Sequence, residues 1–348
     1  MQPDFFNIET YDYELPPELI AQKPVERRDQ CRLLGLRRSD GALFHQHFCD
    51  VLQWLNPGDV LVRNDTKVMA ARLEGTKLNG SAKAEVLLLR PEDSEEKVWE
   101  ALVRPGRKLP EGAEVRLKGG VMVTVGRCKS EDGVRSVIFP QDCDVRTLAE
   151  ATGSMPLPPY IHERTSAPED YQTVYAREAN SAAAPTAGLH FTQELLQQVA
   201  DKGVAIADIT LEVGLGTFRP VKTDDIREHH MHTERCVIPQ KAYDAIAEAK
   251  ESGGRVVAIG TTVVRTLEGM ASTPGGLRPG SLDTGIFIYP GFRFKVVDGL
   301  ITNFHLPKST LVMLVAAFAG YDRTMKAYRE AVQERYRFFS FGDAMIIL

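Results

Sequence analysis

VMAARL (68–73), AEVLLL (84–89), VWEALV (98–103), AEVRL (113–117), VMVTV (121–125) and VRSVIF (134–139) succeed one another with no helical period anywhere between 68 and 139. Each run is short and rich in the branched, apolar and aromatic residues that suit a pleated surface. Turn signals separate them: NGS at 79–81, PGRKLPEG at 105–112, KGG at 118–120 and SEDG at 130–133. Closely spaced strands with Gly-rich turns describe a small antiparallel barrel or sandwich inserted in the chain.

On the amino-terminal side, Pro16 and Pro17 suit the start of a short helix ELIAQ. Leu33, Leu34 and Leu36 suggest a strand after the charged cluster Glu26, Arg27, Arg28 and Asp29, which reads as a solvated turn. FCDVLQWLNPGD is an expected amphipathic helix closed by Pro57 and Gly58, and DVLVRNDT an expected strand with the polar tip Asn64, Asp65 and Thr66. Strand ends of that kind are common ligand contacts in α/β folds.

On the carboxyl-terminal side the texture alternates. VAIADITLEV, RVVAIG and GIFIYP read as buried strands, and QELLQQVADK, KAYDAIAEAKES, TTVVRTLEGM and TMKAYREAVQERY as helices with apolar stripes. That rhythm implies strands joined by helical crossovers in a doubly wound sheet or a barrel, with functional residues in the loops after the strands. LVMLVAAFA (311–319) is a buried helix or strand, too short to cross a bilayer. The expected organisation is a discontinuous α/β domain, 1–66 and 152–348, carrying an inserted antiparallel β-barrel at 67–151.

The bulk composition excludes several classes. The 348 residues are 43% hydrophobic and 26% charged, an ordinary globular balance. A net charge of −5 argues against bulk non-specific nucleic-acid binding, though a local basic face is compatible with it. MQPDFFNIET does not resemble a secretory signal, and five cysteines without a CxxC pair point to reduced thiols in a cytoplasmic protein.

Several motifs fall at the expected strand ends. AAAPTAGLHF (182–191) sets small residues, a Pro, a Gly and His190 before a helix that Thr186 or Thr192 would cap; it reads as a plain turn or as a ligand-contacting loop. EVGLGTFRPV is not a dinucleotide fingerprint, since Arg219 stands where the third Gly would be. AIGTTVVRTLEG puts Thr261 and Thr262 between a strand and a helix, as an N-cap or as donors to a ribose, carboxylate or base edge. REHHMHTE lacks the HxxxH spacing of a helical zinc pair, so no metal is expected there. TNFHLPKST joins His305 to Lys308, and RPGRK (104–108) is the most plausible basic contact for a polyanion.

NDTKVMAARLEG, MPLPPYI, YQTVYA, AAAPTAGLHFT, GLGTFRPV, GTTVVRTLE, IFIYPGF, DGLITNFHLPKSTLVMLVAAFAG and YRFFSFGDAM together resemble the S-adenosylmethionine:tRNA ribosyltransferase-isomerases of queuosine biosynthesis, over nearly the whole chain. The resemblance implies an open, TIM-like α/β barrel domain with an inserted antiparallel β-barrel. It implies transfer and rearrangement of the ribosyl part of S-adenosylmethionine onto 7-aminomethyl-7-deazaguanine at the tRNA wobble position, giving epoxyqueuosine and releasing adenine and methionine. S-adenosylmethionine is then a consumed substrate, with no cofactor, no metal and no membrane partner expected, and the enzyme is expected to be a monomer. At Glu212 the sequence departs from the family's TLHVGLGTF string, so any proton-transfer role there passes to a carboxylate.

The chemistry needs a base for a hydrogen beside the sulfonium, an acid for departing adenine, a neutral amine, and carboxylates or aromatic faces near the cation. By their position in motif loops after strands, Asp65, His190, Glu212, His232 and His305 are the expected acid, base and cation-stabilising groups, with individual roles open. Asn64, Thr66, Thr186, Gly188, Gly214, Gly216, Thr217, Thr261, Thr262, Arg265 and Asn303 are expected to cradle the nucleoside and methionine parts. Arg104, Arg107, Lys108, Lys308 and Arg337 are the expected phosphate contacts. The rivals are a noncatalytic RNA-binding module and an ordinary methyltransferase, the latter disfavoured by the lack of a GxGxxG-type loop.

Overall fold

The structure, a computed structural model, describes residues 3–78, 80, 82–129, 133–158, 160–162, 167–214, 221 and 223–348. The strands are β1 (Arg32–Leu36), β2 (Leu43–His47), β3 (Val60–Asn64), β4 (Thr66–Val68), β5 (Arg72–Lys77), β6 (Lys83–Pro91), β7 (Val98–Arg104), β8 (Glu114–Leu117) and β9 (Met122–Cys128). They continue with β10 (Val134–Ile138), β11 (Glu178–Ser181), β12 (Ala205–Leu211), β13 (Glu234–Ile238), β14 (Val256–Ile259), β15 (Gly280–Thr284), β16 (Gly299–Asn303) and β17 (Ala344–Ile347). The α-helices are α1 (Val145–Thr152), α2 (Gln193–Asp201), α3 (Gln240–Glu251), α4 (Thr261–Ala271), α5 (Thr310–Ala319) and α6 (Tyr321–Gln333). Two compact units result, one of Met1–Thr66, Pro159–Glu178 and Pro185–Leu348, the other of Lys67–Pro158 and Ala179–Ala184.

The second unit contains a closed antiparallel barrel in the order β10-β7-β6-β5-β8-β9, with β9 pairing back onto β10. Strict alternation builds it: in β8 Val115 and Leu117 point in while Glu114 and Arg116 face water. Register shifts between Leu88 and Arg90, and between Arg135 and Val137, bend the strands as closure requires. Closure leaves no open edge for a foreign strand. The first strand begins at Arg72, four residues later than the run VMAARL suggests, because the polar alternation of RLEGTK supplies the ladder residues.

The first unit is built on a nine-stranded mixed sheet, β15-β13-β12-β3-β14-β16-β17-β1-β2. At its centre β12, β3, β14 and β16 are parallel, whereas β13 and β17 join them antiparallel. β3 (VLVRN) and β14 (VVAI) are buried along their whole length, as strands covered on both faces must be. Period-2 alternation divides them: Val60, Val62, Val256 and Ala258 join one core with α3, α4, α5 and α6 residues, while Leu61, Val257 and Ile259 join another with Phe48, Leu195 and Val199. Truncating a leucine such as Leu61 to alanine in such a core costs about 2–5 kcal/mol.

Thr192 caps α2 through its hydroxyl, which accepts from the Leu195 N–H. LVMLVAAFA is helical, forming α5. Other expectations change. GIFIYP is not a strand: β15 lies just before it, and Ile288 fills the core from irregular chain that supplies no ladder bonds. ELIAQ and FCDVLQWLNPGD give 3-10 turns, Pro17–Leu19 and Phe48–Trp54, and not α-helices. Of the open, TIM-like barrel, what stands is an α/β unit around a mixed sheet. Among the described residues its end strands, β15 and β2, each pair with a single neighbour, so the sheet does not close on itself.

Candidate active site

Because β12, β3, β14 and β16 run parallel, their carboxyl ends share one edge of the sheet. Glu212 follows β12, Asp65 and Thr66 follow β3, Gly260 to Thr262 follow β14, and Asn303 and His305 close β16. Ligands of open α/β sheets gather at such an edge.

Asn64 acts as a clamp between two strand ends. Its Oδ1 accepts from the N–H of Leu211 at 3.0 Å and of Thr66 at 3.2 Å, and its Nδ2 donates to the Leu211 carbonyl at 3.1 Å. The amide is thereby occupied by backbone and serves the geometry of its neighbours. Asp65 is buried and accepts from the Thr210 hydroxyl at 2.7 Å, while the Thr66 hydroxyl is buried with no partner among the described residues.

The 185–191 segment forms a short 3-10 turn, Thr186–His190. Gly188 is required there, since a Cβ would stand 1.9 Å from the Tyr175 hydroxyl oxygen. Tyr175 in turn carries the Arg63 guanidinium 4.3 Å above its ring, and Arg63 pairs with Asp208. His190 is buried, with Nδ1 3.1 Å from Cys31 Sγ and Nε2 3.3 Å from Asn303 Oδ1. Burial pushes its pKa down to about 4 and holds the Cys31 thiol well above its ordinary value. Both groups are therefore neutral at pH 7. Pro24, Val25, Arg28, Asp170 and Ser340 join Cys31 and His190 around a pocket.

His305 is enclosed in the same way. Thr302 Oγ1 lies 3.3 Å from its Nε2 and Tyr328 Oη 3.1 Å from its Nδ1, and Tyr13 donates to its carbonyl. Burial pushes the imidazole pKa down to about 3.

At the start of α4, Gly260 has φ +89°, a left-handed conformation that favours glycine. Arg265, one turn along, pairs with Glu234, whose Oε1 accepts the Gly214 N–H at 3.0 Å. Glu212 is half-buried and donates its backbone N–H to the Arg235 carbonyl. His232 is exposed, and Thr186 half-buried. Gly216 and Thr217 lie outside the described residues. Among those described, no group of three or more His, Cys, Asp or Glu side chains could hold a metal.

The expected phosphate contacts differ in availability. Arg104, Arg107 and Lys108 are exposed at and after the end of β7. Lys308 is committed to Glu9 at 2.9 Å and Asp12 at 3.1 Å, which neutralises it. Arg337 donates to the Lys23 carbonyl at 3.2 Å and its Nε lies 3.8 Å from an Asp343 oxygen.

The family described as "Queuosine biosynthesis protein" matches residues 8–347. The chain belongs to that family. Among its relatives are S-adenosylmethionine:tRNA ribosyltransferase-isomerases of Moorella thermoacetica, 55% identical over 98% of this chain and 99% of the relative, and of Symbiobacterium thermophilum, 54% identical over 97% and 98%. A crystal structure titled S-adenosylmethionine tRNA ribosyltransferase from Thermotoga maritima is 41% identical, covers 97% of this chain and all (100%) of its own, and superimposes with a TM-score of 0.56.

Reasoning from sequence missed Cys31, Tyr175 and Glu234 as partners of the expected site residues. Tyr175 stands in the family string YQTVYA and Glu234 ends REHHMHTE, so both had a signal. Cys31 had none: it meets a histidine 159 residues away only after the sheet has formed.

Proposed function

We propose that the chain transfers and isomerises the ribosyl group of S-adenosylmethionine onto 7-aminomethyl-7-deazaguanine at the wobble position of tRNA, releasing adenine and methionine. The observation that carries this reading is the convergence of Asp65, Glu212, Thr261, Thr262, Asn303 and His305 on one edge of the parallel strands, in a chain of the queuosine family. The relatives' name supports the substrate pair.

In this reading the carboxylates Asp65 and Glu212 stand beside the sulfonium, and the proton-handling groups are His190, His232 and His305. The neutral state that burial imposes on His190 and His305 is the form able to accept a proton. The loop around Thr186 and Gly188, together with Gly214, Gly216, Thr217, Thr66 and the start of α4, receives the donor. S-adenosylmethionine is consumed, and no further cofactor or metal takes part. The α/β unit is an opened relative of a TIM-like barrel, an expectation supported by its central parallel strands. The inserted barrel, residues 67–151, offers Arg104, Arg107 and Lys108 to RNA phosphates. The enzyme works as a cytoplasmic monomer; free cysteines fit that compartment, and no described helix is long and apolar enough to cross a membrane.

The deciding experiment incubates the protein with S-adenosylmethionine and tRNA bearing the 7-aminomethyl base and identifies the small molecules released by mass spectrometry. Adenine plus methionine is the expected result. S-adenosylhomocysteine would mark a methyltransferase, and tRNA binding with no product would mark a noncatalytic RNA-binding module.

A further inference from the structure

Among the described residues, three buried polar atoms at the start of α4 have no partner: Thr262 Oγ1, and Nε and Nη2 of Arg265. Arg265 is 4% exposed and Thr262 8%. The Arg265–Glu234 pair uses only Nη1. Nε–H and the nearer Nη2–H of a guanidinium lie on one edge and point the same way, so the free edge is a two-pronged donor with the spacing of a carboxylate. The α4 helix has no side-chain cap, leaving first-turn N–H groups and the positive end of its dipole beside the same hydroxyl. A Cβ placed on Gly260 would lie 3.5 Å from both Thr262 Oγ1 and the Ala187 side chain, so this corner adjoins the Thr186–His190 turn.

We propose that the start of α4 is an anion site in which the free edge of Arg265 and the Thr262 hydroxyl take the α-carboxylate on the methionyl arm of S-adenosylmethionine. The proposal rests on the reading of S-adenosylmethionine as substrate and names the part of it that Arg265 recognises. A phosphodiester shares the chemistry, but it carries a ribose on either side and must bring both against side chains buried to this degree. A terminal carboxylate on a flexible arm enters alone.

The test is calorimetric titration of the protein with S-adenosylmethionine and with its decarboxylated analogue. Wild type is expected to bind the carboxylate form about tenfold to a hundredfold more tightly, the range of a charge-assisted bidentate contact. Arg265→Gln is expected to abolish the preference and Thr262→Val to reduce it. Equal wild-type affinity for the two ligands overturns the proposal, as does an undiminished preference in either variant. Should Arg265→Gln fail to fold because Glu234 loses the guanidinium, Thr262→Val, which keeps the side-chain shape, and the wild-type comparison decide. An anticodon stem-loop RNA is titrated in parallel. If Arg265→Gln weakens RNA binding while the preference for the carboxylate persists, the edge belongs to a phosphate and the proposal falls. Wild type that binds neither S-adenosylmethionine nor its analogue overturns the proposed function itself, a separate outcome.

Discussion

His190 Nε2 lies 3.3 Å from Asn303 Oδ1, and the other end of that amide is fixed by the carbonyls of Phe339 at 2.8 Å and Ser340 at 3.4 Å. With Nδ2 held by two acceptors, Oδ1 must face the imidazole, so Nε2 carries the proton and donates. Nδ1 is then the acceptor, and the Cys31 thiol donates to it. One asparagine thus selects the tautomer of His190 through its side-chain amide.

Asn303→Asp is expected to raise the His190 pKa from about 4 by about one to three units, since a carboxylate beside Nε2 favours the imidazolium. An NMR titration of the His190 Cε1–H resonance reads the change directly. An unaltered titration would show that residue 303 does not face the ring.

The two enclosed histidines also make stability depend on pH. Their native pKa values, about 4 for His190 and about 3 for His305, lie below the ordinary value of 6.5. Below that value the unfolded chain binds protons that the native chain excludes, so stability is full above pH 6.5 and falls as the solution is acidified. The His190 contribution is on the order of 3 kcal/mol, lost progressively between about pH 6.5 and 4. Urea unfolding at pH 7, 6 and 5 should show the decline, and His190→Asn should flatten part of it. A wild type equally stable at pH 7 and 5 contradicts the burial of neutral rings.

Gly188→Ala should destabilise the α/β unit by about 1–3 kcal/mol, the usual cost of overpacking. Its Cβ would stand 1.9 Å from the Tyr175 hydroxyl oxygen and 2.9 Å from the adjoining ring carbon. Removing that oxygen in Gly188→Ala/Tyr175→Phe relieves the worse clash, so the double variant should be more stable than the sum of the single effects predicts. Strict additivity in thermal unfolding would mean that the two side chains do not meet.

Legibility from sequence followed the range of the interactions. β14 and β8 are plain in the string because burial on both faces gives an unbroken apolar run and burial on one face gives strict alternation. GIFIYP misled for the same reason: it is apolar enough for a strand, but only partner strands decide where ladder bonds form, and β13 pairs with residues 280–284. Thr261, Thr262 and His305 could be placed at strand ends because their loops are local. The Cys31–His190 and Arg265–Glu234 pairs, 159 and 31 residues apart, depend on strand order, which local pattern does not specify.

The basic residues divide by whether their charge is already spent. Arg104, Arg107 and Lys108 are exposed, with no hydrogen-bond or ion-pair partner for their side chains among the described residues, whereas the Lys308 ammonium sits between Glu9 and Asp12. Displacing counterions from RNA requires a positive charge that is free to approach the phosphate, so only the first three should contribute to salt-dependent affinity. For each phosphate contact removed, the slope of log affinity against log salt should shrink by about 0.7–0.9. Replacing all three by alanine should therefore flatten the salt dependence of tRNA binding while leaving the melting temperature unchanged. Lys308→Ala should leave the slope as it is. Filter binding of tRNA across a salt series separates the two cases, and a slope that responds to Lys308 but not to the RPGRK tip would place the RNA on the α/β unit.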